Sequence, residues 1–224
     1  MSENPTTLHT VKVWDLPTRL FHWTLVALMI VQWLTAEQSS TMDYHVWGGY
    51  AVLALVLFRL IWGFWGSDTA RFSDFMRGPG AALDYVKALL RGETPHYLGH
   101  NPLGAWSIVA MLVLLLVQTG TGLFANDDIT IEGPLYSWVS KDTSDWLTTI
   151  HKLNFNLLLL LIAVHLSAVL FYLLVKRENL IHPMLSGHKR LPLERLHSAP
   201  RLVSPWRGLA ALAVAGAAVW LLVR

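Results

Sequence analysis

His151 and His165 lie fourteen residues apart in one apolar stretch. At about 3.6 residues per turn and about 1.5 Å per residue, this spacing puts both imidazoles on nearly the same helix face, about 21 Å apart. Ionisable side chains are costly inside a bilayer and mark functional sites there. His165, within Leu157 to Leu174, would lack hydrogen-bond partners if it bound nothing. His22 and His45 open the first and second apolar stretches. If the chain runs up and down, His45 shares a depth with His151, and His22 with His165. Two facing pairs of imidazoles are the ligand set of two low-spin b-type haems, which pass electrons and need no open coordination position. Taken alone, His22, His45 or His151 reads first as an interfacial polar residue, and the matched depths on three helices favour ligation.

Arg59 stands fourteen residues after His45, on the same face but at the depth of the inner pair. A guanidinium there can meet a haem propionate bidentately, or snorkel to the inner surface. Gly48, Gly49, Gly120 and Gly122 are small positions where a macrocycle or a neighbouring helix can approach. Lys152, beside His151, can bind an outer propionate or face water. His9, His96, His100, His182, His188 and His197 fall in the expected cytoplasmic segments, unpaired by depth, and are read as solvent-exposed or locally bonded. Cysteine is absent, which excludes iron–sulfur clusters, disulfides and covalent c-type haem attachment.

These side chains need membrane helices to position them. Of 224 residues, 54% are hydrophobic and 14% charged, against about 25% charged in soluble domains. Apolar runs of spanning length occur at Leu20–Ala36, Val46–Phe64, Leu103–Phe124 and Leu153–Val175, with a shorter one at Leu209–Val223. Phe21-His22-Trp23 and Gln32-Trp33 are foreign to a cleaved leader, so the first run is read as a helix. The expected fold is an all-α integral membrane four-helix bundle holding two b haems, with a fifth C-terminal transmembrane helix. Its parts are a cytoplasmic segment (1–19), the dihaem bundle (20–175), a basic cytoplasmic segment (176–207) and the added helix (208–224). Lys and Arg gather before the first run, between the second and third, and after the fourth, so the N-terminus is expected in the cytoplasm. That asymmetry accounts for the net charge of +2 without a nucleic-acid partner. Ala125 to Ile150 reads as a long acidic outer connection, and Ala81 to Arg91 as an amphipathic helix on the inner surface. His100-Asn101-Pro102 reads as a helix start, with Asn as cap.

Val11 to Trp23 (VKVWDLPTRLFHW), Tyr97 to Ala105 (YLGHNPLGA), Arg59 followed by Trp62-Gly63, and the His151/His165 spacing together resemble the bacterial cytochrome b561 family, which includes the b-type cytochrome subunits of nickel–iron hydrogenases. The likeness covers roughly residues 10 to 190. It implies a four-helix dihaem protein of the cytoplasmic (inner) membrane with His22, His45, His151 and His165 as axial ligands. It also implies electron exchange with quinone near the cytoplasmic haem. Arg19, Trp23, Arg177 and Asn179 are the quinone-site candidates, chosen because a quinone oxygen needs a donor there. The fifth helix departs from the four-helix pattern.

The function expected first is an electron-transfer component that carries electrons between a periplasmic redox partner, a c-type cytochrome or a dehydrogenase, and the quinone pool. Alternatives are the membrane-anchoring cytochrome subunit of a hydrogenase or other dehydrogenase, and a stand-alone superoxide:ubiquinone oxidoreductase. The latter needs outer cations, for which Lys141 and Lys152 are the candidates. A haem-free transporter or assembly scaffold is the reading from another class, and it lacks the repeat-related helices common at transporter sites.

Overall fold

In the computed structural model, residues 8–36, 39–93, 97–129, 131–192 and 199–224 are described. In chain order the elements are strand β1 (Leu8–Lys12), helices α1 (Leu16–Thr35), α2 (Met42–Trp65), α3 (Phe72–Phe75), α4 (Pro79–Leu90), α5 (Pro102–Gly122), α6 (Lys141–Leu174) and α7 (Ile181–Ser186), strand β2 (His188–Pro192), and helix α8 (Pro205–Val223). The protein is an all-α membrane bundle. Helices α2, α5, α6 and α8 are long and apolar enough to cross a bilayer. The 20-residue α1 falls short of them in apolar content because Arg19, His22 and Gln32 interrupt its run.

Local chemistry sets where the histidine-bearing helices begin. Asp15 caps α1, its carboxylate accepting from Thr18 N at 2.7 Å, with Pro17 in the first turn. Asn101 caps α5 in the same way, accepting from Gly104 N at 2.8 Å ahead of Pro102. Ser140 caps α6 through Thr143 N at 3.3 Å. That last cap overturns one expectation: residues 141–150 are helix, and the connection before them is correspondingly shorter. Their polar sequence carries no hydrophobic period, but the Lys141–Asp145 pair at 2.5 Å supports the first turn. At 34 residues, α6 is about 51 Å long, well beyond the hydrocarbon thickness of about 30 Å, so its polar start stands clear of the apolar layer.

Helix α2 packs on α1, α5 and α8, whereas α6 packs along α5 and has no comparable contact with α1 or α2. Val52, Val56, Leu112, Leu115 and Leu158 form a buried apolar cluster in the middle of the bundle, with Phe21 and Leu25 against it. The surface helix α4 lies on α5, and the Tyr85 and Tyr172 hydroxyls hydrogen-bond to tie it to α6.

The fifth helix is present and docked. Gly208 sits where a Cβ would come within 2.6 Å of Pro17 Cγ, so α8 approaches α1 closely. Ahead of it, Arg201 N donates to the Asp68 carboxylate at 2.7 Å and Val203 N to Ser67 Oγ at 2.9 Å. One element has no clear signal in the sequence: β1 and β2 pair antiparallel, Thr10 opposite Arg190, joining the N-terminal segment to the basic segment after α6.

Candidate functional site

The four histidines expected as ligands come together as two facing pairs. His45 on α2 faces His151 on α6 with ring centres 6.2 Å apart, and His22 on α1 faces His165 on α6 at 6.4 Å. All four rings are half-buried, and the apolar cluster lies between the two pairs.

In the first pair the outlying nitrogens are tied down. His151 Nδ1 lies 2.8 Å from the Gln118 backbone oxygen, and His45 Nδ1 lies 3.1 Å from the Gln32 backbone oxygen. A carbonyl only accepts, so each Nδ1 carries the proton and each Nε2 keeps its lone pair for a metal. Both partners came through the fold and not through sequence spacing. Gln32 Nε2 donates back to the His45 carbonyl at 3.0 Å. Gln118 Oε1 accepts from the buried Asn154 Nδ2 at 2.7 Å. Two glycines make room: a Cβ on Gly122 would come within 3.0 Å of His151 Cε1, and one on Gly48 within 2.8 Å of Gln32 Oε1.

At the second pair, buried polar atoms lack partners. His22 Nδ1 and Arg59 Nη1 are sealed from solvent with no hydrogen bond. Arg59 is 3% exposed, and its Cζ lies 5.1 Å from the Phe72 ring centre and 5.9 Å from that of Phe75. Gly63 admits this arrangement, because a Cβ there would collide with Phe72 at 2.0 Å. The Asp15 carboxylate nearby is already engaged by Thr18 N and by Trp62 Nε1 at 3.0 Å.

Both pairs fit an iron porphyrin. An imidazole nitrogen binds a metal at about 2.0 Å, so two rings on opposite sides of one iron place their centres about 6 Å apart. The donor set is nitrogen only, as bis-histidine haem requires, and the unpartnered Arg59 nitrogen offers a donor to an anionic group.

Of the other residues chosen from sequence, Lys152 is exposed beside His151, Gly49 lies 3.4 Å from Gln32 Nε2 by its ideal Cβ, and a Cβ on Gly120 meets nothing within 4 Å. Arg19 donates to the Leu185 carbonyl and Trp23 Nε1 to the Met184 carbonyl at 3.2 Å, so both brace α7. Asn179 accepts from Ile181 N and His182 N, capping the same helix, and Arg177 is exposed with φ of 57°. His9 is exposed on β1, His182 and His188 hydrogen-bond locally to Ser186, and His96 and His197 lie outside the described residues. His100 corrects the reading that all six remaining histidines are peripheral. Its ring sits between Trp14 at 4.6 Å and Phe75 at 4.9 Å, and its Nδ1 is buried without a partner. Burial, with Arg59 adding to it, pushes this imidazole down to about 3, so it is neutral at ordinary pH.

Residues 13–187 match the prokaryotic cytochrome b561 family. The chain belongs to that family. Among curated proteins this cytochrome resembles three described as probable Ni/Fe-hydrogenase B-type cytochrome subunits. That of Bradyrhizobium diazoefficiens is 24% identical over 81% of this chain and 86% of its own. That of Azotobacter vinelandii is 25% identical, covering 83% and 90%. The Rhodobacter capsulatus protein is 23% identical, covering 84% of both. No solved structure matches the chain. The matched region ends before α8. Family membership makes it a multi-pass b-type cytochrome, an electron-transfer component that holds haem b.

Proposed function

We propose that the chain is a dihaem cytochrome that carries electrons across the cytoplasmic membrane between a periplasmic redox partner and the quinone pool. The observation behind this reading is the pair of imidazole couples, 6.2 and 6.4 Å between ring centres, at the two ends of one bundle. His45 and His151 would hold the outer haem, and His22 and His165 the inner one. Bound haem supplies reversible one-electron chemistry at each site.

The chain's own residues do the rest. Gln32 and Gln118 fix the tautomer and ring direction of His45 and His151 through their backbone carbonyls. Val52, Val56, Leu112, Leu115 and Leu158 keep water out of the space between the sites. Arg59, buried and with a free donor, offers its charge to a propionate. Arg19, Trp23, Arg177 and Asn179 remain the candidates for the quinone site on the cytoplasmic side, although three of them already make structural hydrogen bonds around α7. The Lys and Arg distribution supports a cytoplasmic N-terminus.

The likeness to probable Ni/Fe-hydrogenase B-type cytochrome subunits favours one partner, a hydrogenase, with this chain as its membrane-anchored cytochrome subunit. The superoxide reading has less behind it, because Lys141 is held by Asp128 and Asp145, both at 2.5 Å, which cancels its charge for an anionic substrate. The test is haem quantification on the purified chain with redox titration. Two b haems per polypeptide, reducible by quinol or by a co-purifying dehydrogenase, are expected; a colourless chain or a single haem overturns the reading.

A further inference from the structure

The proposed dihaem function uses the four histidines and Arg59 and leaves His100 without a task. His100 lies immediately before the Asn101 cap of α5, clamped between Trp14 and Phe75. A phenylalanine or leucine would fill that slot equally well. What packing does not explain is a sealed nitrogen with no hydrogen bond, since buried polar atoms are almost always paired. A second such nitrogen, Arg59 Nη1, is close by: the guanidinium and the His100 ring lie against the same Phe75 ring, at 5.9 and 4.9 Å.

Two unsatisfied nitrogens beside one phenylalanine ring, one of them on a permanently cationic group, call for an anionic acceptor with more than one oxygen. Among the described residues, neither nitrogen finds one. Both Asp15 oxygens are taken by Thr18 N and Trp62 Nε1. Asp68 and Asp74 are paired with Arg71 at 2.6 and 2.7 Å, at the mouth of a cavity of about 300 Å³ whose lining includes His100 and Phe75. A neutral quinone carbonyl would bring no charge to the free Arg59 nitrogen, whereas a carboxylate brings a full one.

Resting on the dihaem reading, we propose that His100 binds, together with Arg59, a propionate carboxylate of the haem held by His22 and His165. His100 donates one hydrogen bond as a neutral imidazole, and the adjoining cavity gives that end of the site its access to water. Trp14 and Phe75 hold the ring in position for this bond.

The test uses the full-length protein in detergent, with His100→Phe and His100→Gln, read by haem content and by the midpoint potential of each haem. Loss of a donor leaves the carboxylate charge less neutralised, which favours the more positive oxidised site. His100→Phe should therefore keep two haems and lower the potential of the His22/His165 haem alone, by about a tenfold change in the reduced-to-oxidised ratio, or about 59 mV for one electron. His100→Gln, which retains a donor, should return most of that shift. Two haems with unmoved potentials in His100→Phe would overturn the proposal in favour of packing. Unmoved potentials with lost quinol-driven reduction would overturn it in favour of a quinone contact. If His100→Phe does not accumulate, His100→Met takes its place, and equal potentials in the Met and Gln variants overturn it. A wild-type chain holding fewer than two haems is a separate result, since it removes the dihaem reading itself.

Discussion

Gln32 and His45 hold each other twice across α1 and α2: His45 Nδ1 donates to the Gln32 backbone oxygen at 3.1 Å, and the Gln32 amide nitrogen donates to the His45 carbonyl at 3.0 Å. The reciprocal clamp fixes the His45 ring by one bond and its backbone by the other, and the two run in opposite directions. Gln32→Leu keeps the backbone acceptor and removes the amide donor, so the ring stays in place with a looser hold. Groups that orient ligands in this way are worth about 10- to 100-fold in affinity for the bound metal group. Haem retention by the variant during dilution should fall by about tenfold at the His45/His151 site and stay unchanged at the other, as measured by site-resolved absorbance.

The facing pairs carry a stricter expectation about which ligands act together. His22→Ala and His165→Ala should each delete the same haem, because these two rings face one another at 6.4 Å; His45→Ala and His151→Ala, facing at 6.2 Å, should delete the other. Redox difference spectra on purified variants check this. Retention of both haems in any one of the four variants would falsify the pairing.

The facing of His45 with His151 and of His22 with His165 was legible because depth follows directly from residue counts along apolar runs, and fourteen residues on one helix need no tertiary information. The caps at Asn101 and Pro102 were legible for the same local reason. Gln32 and Gln118 were not, because each acts through its backbone oxygen, which every residue has; only the approach of another helix selects it. His100 was misplaced because it precedes a helix start and carries no periodic signal, while the groups that bury it, Trp14 and Phe75, are 86 and 25 residues away in the chain. The early start of α6 was hidden by polar residues that are helical without an apolar stripe.

Gly122 marks a place where the backbone of α5 and the His151 ring nearly touch. A Cβ there would lie 3.0 Å from His151 Cε1 and 3.2 Å from Nδ1, closer than ordinary contact, and the ring cannot retreat without losing its bond to the Gln118 oxygen. Gly122→Val should therefore displace the imidazole and empty the His45/His151 site, with the His22/His165 haem kept. Haem content of about half the wild-type value, with a single potential remaining, is the expected result.

Asp15 joins the start of α1 to the far end of α2. Its carboxylate is 3% exposed and accepts from Thr18 N at 2.7 Å and from Trp62 Nε1 at 3.0 Å, while Trp62 itself is 1% exposed. Asp15→Ala removes a helix cap, worth about 1 kcal/mol, and strands a buried indole donor, at about 1–3 kcal/mol. The sum, about 2–4 kcal/mol, is large against the stability of a typical domain. Asp15→Asn separates the two contributions, because its amide oxygen can still cap Thr18 while its nitrogen faces the indole donor with nothing to accept. Thermal unfolding in detergent should rank wild type above Asn and Asn above Ala. Since His22 lies seven residues along α1 from Asp15, haem loss on heating should begin at the His22/His165 site in both variants. Equal stability of the Ala variant and the wild type would mean that this buried carboxylate contributes nothing to joining the two helices.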